Sequence, residues 1–165
     1  MHPDLIAAQK LAYEPSGLVI ERFAREKESR EYAASEFVVR HQRIRFRVAK
    51  ITPTKLGQFV TLWKRIDKGP IQPFDKSDPF DLVVISARKS GHFGQFVFPK
   101  SLLFEQGILA KDGKGGKRAI RVYPPWVMTD NKQAQETQEW QAPYFFEIFP
   151  AEPEAIRIQK LFFCW

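Results

Sequence analysis

Cysteine is nearly absent from this chain: Cys164, the penultimate residue, is the only one among 165. A lone thiol excludes an intrachain disulfide and any multi-cysteine zinc or iron–sulfur centre, and it fits a reducing compartment. Histidine is scarce too. His2, His41 and His92 lie far apart, with no spacing that suggests a histidine metal cluster or a Cys/His nucleophile pair. No apolar run approaches the roughly 18 residues of a membrane span, and the opening MHPDLIAAQK lacks the basic start and apolar stretch of a secretory signal. The expectation is a cytoplasmic protein that does not enter the membrane. Acidic residues are the minority, 19 against 26 Lys and Arg, so the formal charge is +7. That excess favours polyanionic partners such as nucleic acid or nucleotides.

Aromatic residues, by contrast, are plentiful. Fifteen Phe and four Trp supply rings for a core, and the length suits one domain spanning 1–165. Residues 3–13 show near-helical apolar spacing closed by Pro15. Leu18, Ile20 and Phe23 form either an edge strand or part of a charged loop. Residues 32–39 and 43–51 read as arms of a hairpin, connected through His41 and Gln42. Residues 67–80, with three prolines, read as a loop; 81–87 and 94–98 as paired strands; 99–106 as a helix ended by Gly107. The segment KDGKGGK (111–117) predicts a mobile basic loop, without the Gly spacing or Ser/Thr of a phosphate-binding P-loop. Residues 118–122 form a strand and 131–141 a glutamine-rich helix, interrupted at Pro143. This order predicts an α/β fold, a mixed sheet flanked by helices.

The densest information lies in residues 43–65. Arg43, Arg45 and Arg47 alternate with Ile44, Phe46 and Val48, the period of a strand with one wet and one buried face. Lys50 then falls on the apolar face. Thr52 and Pro53 have the form of a helix cap and first helical position, and Leu56, Phe59, Val60, Trp63 and Ile66 follow at helical spacing. At such a helix start Lys50, Thr52, Thr54, Lys55 and Gln58 surround unpaired N–H groups, which suits phosphate or carboxylate. The plainer alternative leaves Thr52 as a cap, Lys55 in solvent and Lys50 snorkelling from the core edge.

Carboxylates are candidates for a divalent metal. Glu28 and Glu31 precede the hairpin, and Asp75, Asp78 and Asp81 precede a strand; Asp-rich turns also occur simply as caps. Tyr123, Trp126 and Trp140, near Arg118 and Arg121, either stack on bases or cover the core.

Five segments, ESREYAA (28–34), FRVAKITPTKLGQFVTLWKR (46–65), GQFVFPKSLL (94–103), GKRAIRVYPPW (116–126) and TQEWQAPYF (137–145), together resemble the MepB family of bacterial proteins. The resemblance implies a compact α/β domain with a restriction-endonuclease-like or tRNA-endonuclease-like core. Nucleases of that group carry (D/E)xK on one strand, the carboxylate holding a metal and the lysine the water or phosphate. Here the triplet is Val48-Ala49-Lys50, so the lysine is present without its carboxylate. Gln58 matches a glutamine that some of those enzymes use to orient the site.

The first functional expectation is therefore binding of nucleic acid or a nucleotide, with no resident cofactor. Lys50, Thr52, Thr54, Lys55 and Gln58 would contact phosphate, Arg45, Arg47 and Arg121 would steer it, and Tyr123 and Trp126 would stack. An alternative is a phosphodiesterase that takes a divalent metal, with Glu31 or Asp81 replacing the missing carboxylate beside Lys50 and Gln58. A third is a regulatory protein that docks an unspecified partner through LFFCW (161–165).

Overall fold

Eleven strands and four helices make up the computed structural model, which describes residues 1–163. The strands are β1 (Glu21–Arg25), β2 (Ser35–Val39), β3 (Gln42–Val48), β4 (Lys50–Ile51), β5 (Gln58–Thr61), β6 (Trp63–Arg65), β7 (Ile71–Pro73), β8 (Leu82–Lys89), β9 (His92–Pro99), β10 (Ala119–Val122) and β11 (Phe145–Phe149). The helices are α1 (Pro3–Ala8), extended by a π-helical segment to Tyr13, α2 (Lys100–Glu105), α3 (Lys132–Gln141) and α4 (Ala155–Phe163).

Strands β8 and β9 form the centre because both are nearly continuous apolar runs, and such runs are buried on both faces. They lie in a six-stranded sheet of order β1-β2-β3-β8-β9-β11, in which β3 and β8 are parallel and the other neighbours antiparallel. On one face Leu82, Val84, Phe93 and Val97 pack with Tyr13 and with Ile158, Leu161 and Phe162 of α4. On the other, Val83, Ile85, Phe96 and Phe98 meet Val60, Leu62, Leu103, Ile120 and Val122. A second sheet, β10-β5-β4, and the pair β6-β7 complete the strand set. The expected mixed sheet with flanking helices is what the chain forms. The first core also encloses a short polar chain: the Tyr13 hydroxyl donates to Gln95 Oε1 at 2.5 Å, and Gln95 Nε2 donates to Ser86 Oγ at 2.7 Å.

The largest departure from expectation is the helix predicted from Thr52. Residues 52–57 are a loop and the chain then runs extended through β5 and β6. Gln58, Val60 and Leu62 are buried while Phe59, Thr61 and Trp63 are half-buried, a period of two that coexists with the helical spacing of Leu56, Phe59, Val60 and Trp63. Short apolar runs rich in β-branched and aromatic residues satisfy both templates. The decision comes from β10, which pairs with β5 through Ala119↔Thr61 to Val122↔Gln58. The helix-start site proposed for Lys50, Thr52, Thr54, Lys55 and Gln58 therefore has no helix to start.

Lys50 also changes sides. Ala49 is buried, and its N–H still reaches Ser86 O at 2.9 Å before the chain leaves the large sheet to pair Lys50 with Phe59. That transfer reverses the alternation, so Lys50 is exposed rather than on the apolar face. The arginine face of β3 is likewise not uniformly wet: Arg43 is exposed, Arg45 half-buried and Arg47 buried.

Other expectations are met with shifted limits. The β2–β3 hairpin turns at Arg40 and His41, both with positive φ (44° and 73°), and α3 starts at Asn131, whose Oδ1 accepts from the Ala134 N–H at 2.8 Å. Segment 111–117, expected as a basic loop, makes reciprocal Lys111–Lys114 backbone bonds, and its Gly113 N–H donates to Asp75 Oδ2 at 2.9 Å. Of the aromatic tail, Leu161 and Phe162 are buried in α4, which counts against a free docking segment; Cys164 and Trp165 lie outside the described residues.

Candidate anion-binding cleft

Cations divide into those already partnered and those that are not. Arg45 and Arg47 each donate through Nη1 to one oxygen of the Glu26 carboxylate. Arg47, only 1% exposed, also donates to Phe46 O at 2.9 Å and to Thr61 O at 3.3 Å, and Arg45 lies 4.7 Å over the Phe74 ring. Burial pushes the Arg47 guanidinium below its ordinary value and Glu26 pulls it back. These two arginines face an internal carboxylate. The Lys50 ammonium sits 4.7 Å over the Tyr32 ring, a cation–π arrangement.

The carboxylates proposed for a metal are spread out. Asp81 Oδ2 accepts from the Arg43 N–H at 2.7 Å, next to the start of β3. Lys50 lies beyond the other end of that strand, about 20 Å away at the usual rise of ~3.3 Å per residue. Asp81 therefore does not supply the carboxylate missing beside Lys50. Glu31 is exposed on a turn and, after burial, helps to raise the Tyr32 phenol above its usual pKa. No ion pair joins it to Lys50 among the described residues. Asp78 accepts from the Asp75 N–H and from Lys64 Nζ, both at 2.7 Å. Asp75 accepts from Gly113 and Ser77, and those N–H groups hold its carboxyl below the usual range. The Asp residues act as turn caps, and no group of three or more His, Cys, Asp or Glu suited to a metal occurs among the described residues.

Gln58, 2% exposed, sends its Nε2 to Arg88 O at 3.3 Å from inside the second core. Trp126 stacks on His92 with centroids 5.0 Å apart and 19° between planes, and packs edge-on against Phe145. Neither borders the cleft where the remaining candidates meet.

That cleft, about 570 Å³, lies among loop 52–57, β10 and α3. Thr54, Lys55, Arg121 and Tyr123, all proposed from sequence, line it with Trp140. Arg121 ties the loop down, donating to Thr52 Oγ1 at 2.7 Å and to Leu56 O at 3.1 Å. Gly57 (φ 76°) closes the loop against Tyr123, where a Cβ would lie 2.7 Å from the ring. The amide of Gln141 spans Tyr123 N–H and Arg121 C=O at 2.8 and 2.9 Å, while Gln138 reaches Pro124 O and Val127 O. These bonds fix α3 against β10. Lys55 and Lys117 are exposed at the edge, Ile120, Ala134 and Gln141 are buried at the floor, and Trp140 packs 5.5 Å from Phe98. Neither lysine has an ion-pair partner among the described residues, and Asp130 is the one carboxylate in the lining.

Sequence reasoning missed Lys117, Gln133 and Thr137, which also line the cleft. The glutamine-rich character of 131–141 was the available signal. Which of its faces meets a basic loop depends on how distant segments pack.

A protein-family model described as MepB-like matches residues 26–147. The chain belongs to the MepB-like family. A crystal structure of MepB superposes with a TM-score of 0.78 at 35% identity, covering 92% of this chain and 100% of that one. No curated protein matches. All cleft residues from Thr54 to Gln141 fall inside the MepB-like region, whereas α1, β1 and α4 flank it. Among the described residues of this MepB-like chain, no helix is long and apolar enough to cross a membrane.

Proposed function

We propose that this MepB-like chain binds a phosphate-bearing ligand, nucleic acid or nucleotide, in the cleft among loop 52–57, β10 and α3. The observation that carries the reading is the lining itself: Lys55, Lys117 and Arg121 against Asp130, with both lysines unpaired among the described residues. Ammonium groups over a concave, partly apolar surface concentrate positive potential and attract anions. The +7 charge of the whole chain acts in the same direction at longer range.

A nuclease-like core belongs to the same reading, supported by the mixed sheet and by a lysine just past the end of β3. Val48, where a metal-binding carboxylate would stand, and the commitment of Asp75, Asp78 and Asp81 to turns favour binding without turnover.

Equilibrium titration with labelled single-stranded and duplex oligonucleotides and with nucleotides, from low to physiological salt, tests it. Binding that weakens steeply with salt, and falls in the Lys55→Ala/Lys117→Ala double variant, is the expected result. Absence of binding at low salt, or a double variant that binds like the unaltered protein, removes the proposal.

A further inference from the structure

The cleft has two chemically distinct parts. Its edge carries the exposed ammonium groups of Lys55 and Lys117, and its interior carries Tyr123, Trp140 and the apolar floor of Ile120 and Ala134. A ligand matched to both has an anionic end and a flat, largely apolar body. The amides nearby differ in availability. Those of Gln138 and Gln141 are consumed by backbone bonds, and Asn131 caps α3. Gln133 is exposed in the lining, and its side-chain amide makes no hydrogen bond among the described residues. It offers a donor and an acceptor to the polar edge of a heterocycle.

Resting on the phosphate-binding reading above, we infer that the site holds one unstacked nucleotide unit: phosphate at Lys55 and Lys117, base against Trp140 and Tyr123, and base edge at Gln133. A volume of about 570 Å³ falls within the ~300–1,000 Å³ typical of small-molecule sites. Duplex nucleic acid keeps its base faces covered by stacking and presents mainly phosphate, so it engages only the edge. A free nucleotide and the terminal nucleotide of a single strand expose the same base face and phosphate.

Calorimetric titrations of the full chain separate this inference from the reading beneath it. The probes are the four common nucleoside triphosphates, inorganic pyrophosphate, a short 5′-phosphorylated single strand and a blunt duplex. Nucleotides binding at least about tenfold more tightly than pyrophosphate is the expected result, from the gain of base–aromatic stacking. A single strand that matches the free nucleotide supports the free form as the natural ligand, and one that exceeds it supports a strand end. Pyrophosphate binding as tightly as nucleotides, or duplex as tightly as single strand, overturns the inference while leaving the phosphate reading in place; no binding by any probe overturns both. Gln133→Ala, at an exposed position, is expected to alter the ranking among bases and leave pyrophosphate affinity unchanged. An unaltered ranking removes Gln133 from the site. Trp140→Phe, which preserves a ring against Phe98, is expected to reduce nucleotide affinity and spare pyrophosphate; equal losses for both overturn the stacking role.

Discussion

Glu26 neutralises two arginines from a position that strand periodicity does not flag. Its carboxylate receives Arg45 and Arg47 together, and the Arg47 side chain is 1% exposed. Removing one partner of a buried pair leaves an uncompensated charge, so Glu26→Ala should cost about 3–5 kcal/mol in urea unfolding. Adding Arg47→Met should restore part of that loss, because the stranded charge goes with it; a double variant no better than the single one counts against the pairing. Asp75 gives a pH signature. Hydrogen bonds from Gly113 and Ser77 lower its folded pKa, so its stabilisation is complete above the ordinary carboxylate pKa and disappears as pH falls through the folded value. The stability gap between the native chain and Asp75→Asn should be widest near neutrality and close below about pH 4, followed by denaturant midpoint against pH. At this scale the arginine alternation was legible and the partner was not, because Glu26 lies on the far side of the β2–β3 hairpin in the chain.

Gly57 distinguishes the two descriptions of the segment after Thr52. Inside a helix, Gly→Ala would stabilise by about 1 kcal/mol. In the loop, φ is 76° and a new Cβ meets the Tyr123 ring at 2.7 Å. Gly57→Ala is therefore expected to destabilise by more than ~1 kcal/mol, and thermal unfolding reads the sign directly. Elements governed by local chemistry were readable: β8 and β9 from apolar runs on either side of a polar turn at 88–92, and α3 from Asn131 and the residues after it. Residues 52–65 were not, since helical and extended templates both fit until β10 supplies hydrogen bonds to β5 from some sixty residues away. Strand β11 escaped notice for a similar reason. Phe145 and Phe146 look like generic core until pairing with β9 makes them an edge strand.

At the scale of the whole molecule, three distant segments bring Lys55, Lys117 and Arg121 into one cleft with a single carboxylate, Asp130. If Lys55 and Lys117 contact phosphate, each Lys→Ala change should weaken single-strand binding and reduce the slope of log K against log salt by about 0.7. Slopes that stay constant would assign those lysines to bulk solvent. By itself the sequence determined the family resemblance, the α/β character, the basic excess and five of the seventeen cleft residues: Thr54 and Lys55, drawn from a helix start that is a loop, and Arg121, Tyr123 and Trp140, drawn from their basic and aromatic chemistry. Only the tertiary structure decided that Arg45 and Arg47 answer to Glu26, that Asp81 and Lys50 occupy opposite ends of β3, and that Lys117 and Gln133 share a cavity with Lys55. The division follows from range. Periodicity and capping act over a few residues and leave a mark in the local pattern, whereas ion pairing and cavity lining depend on which distant strands share hydrogen bonds.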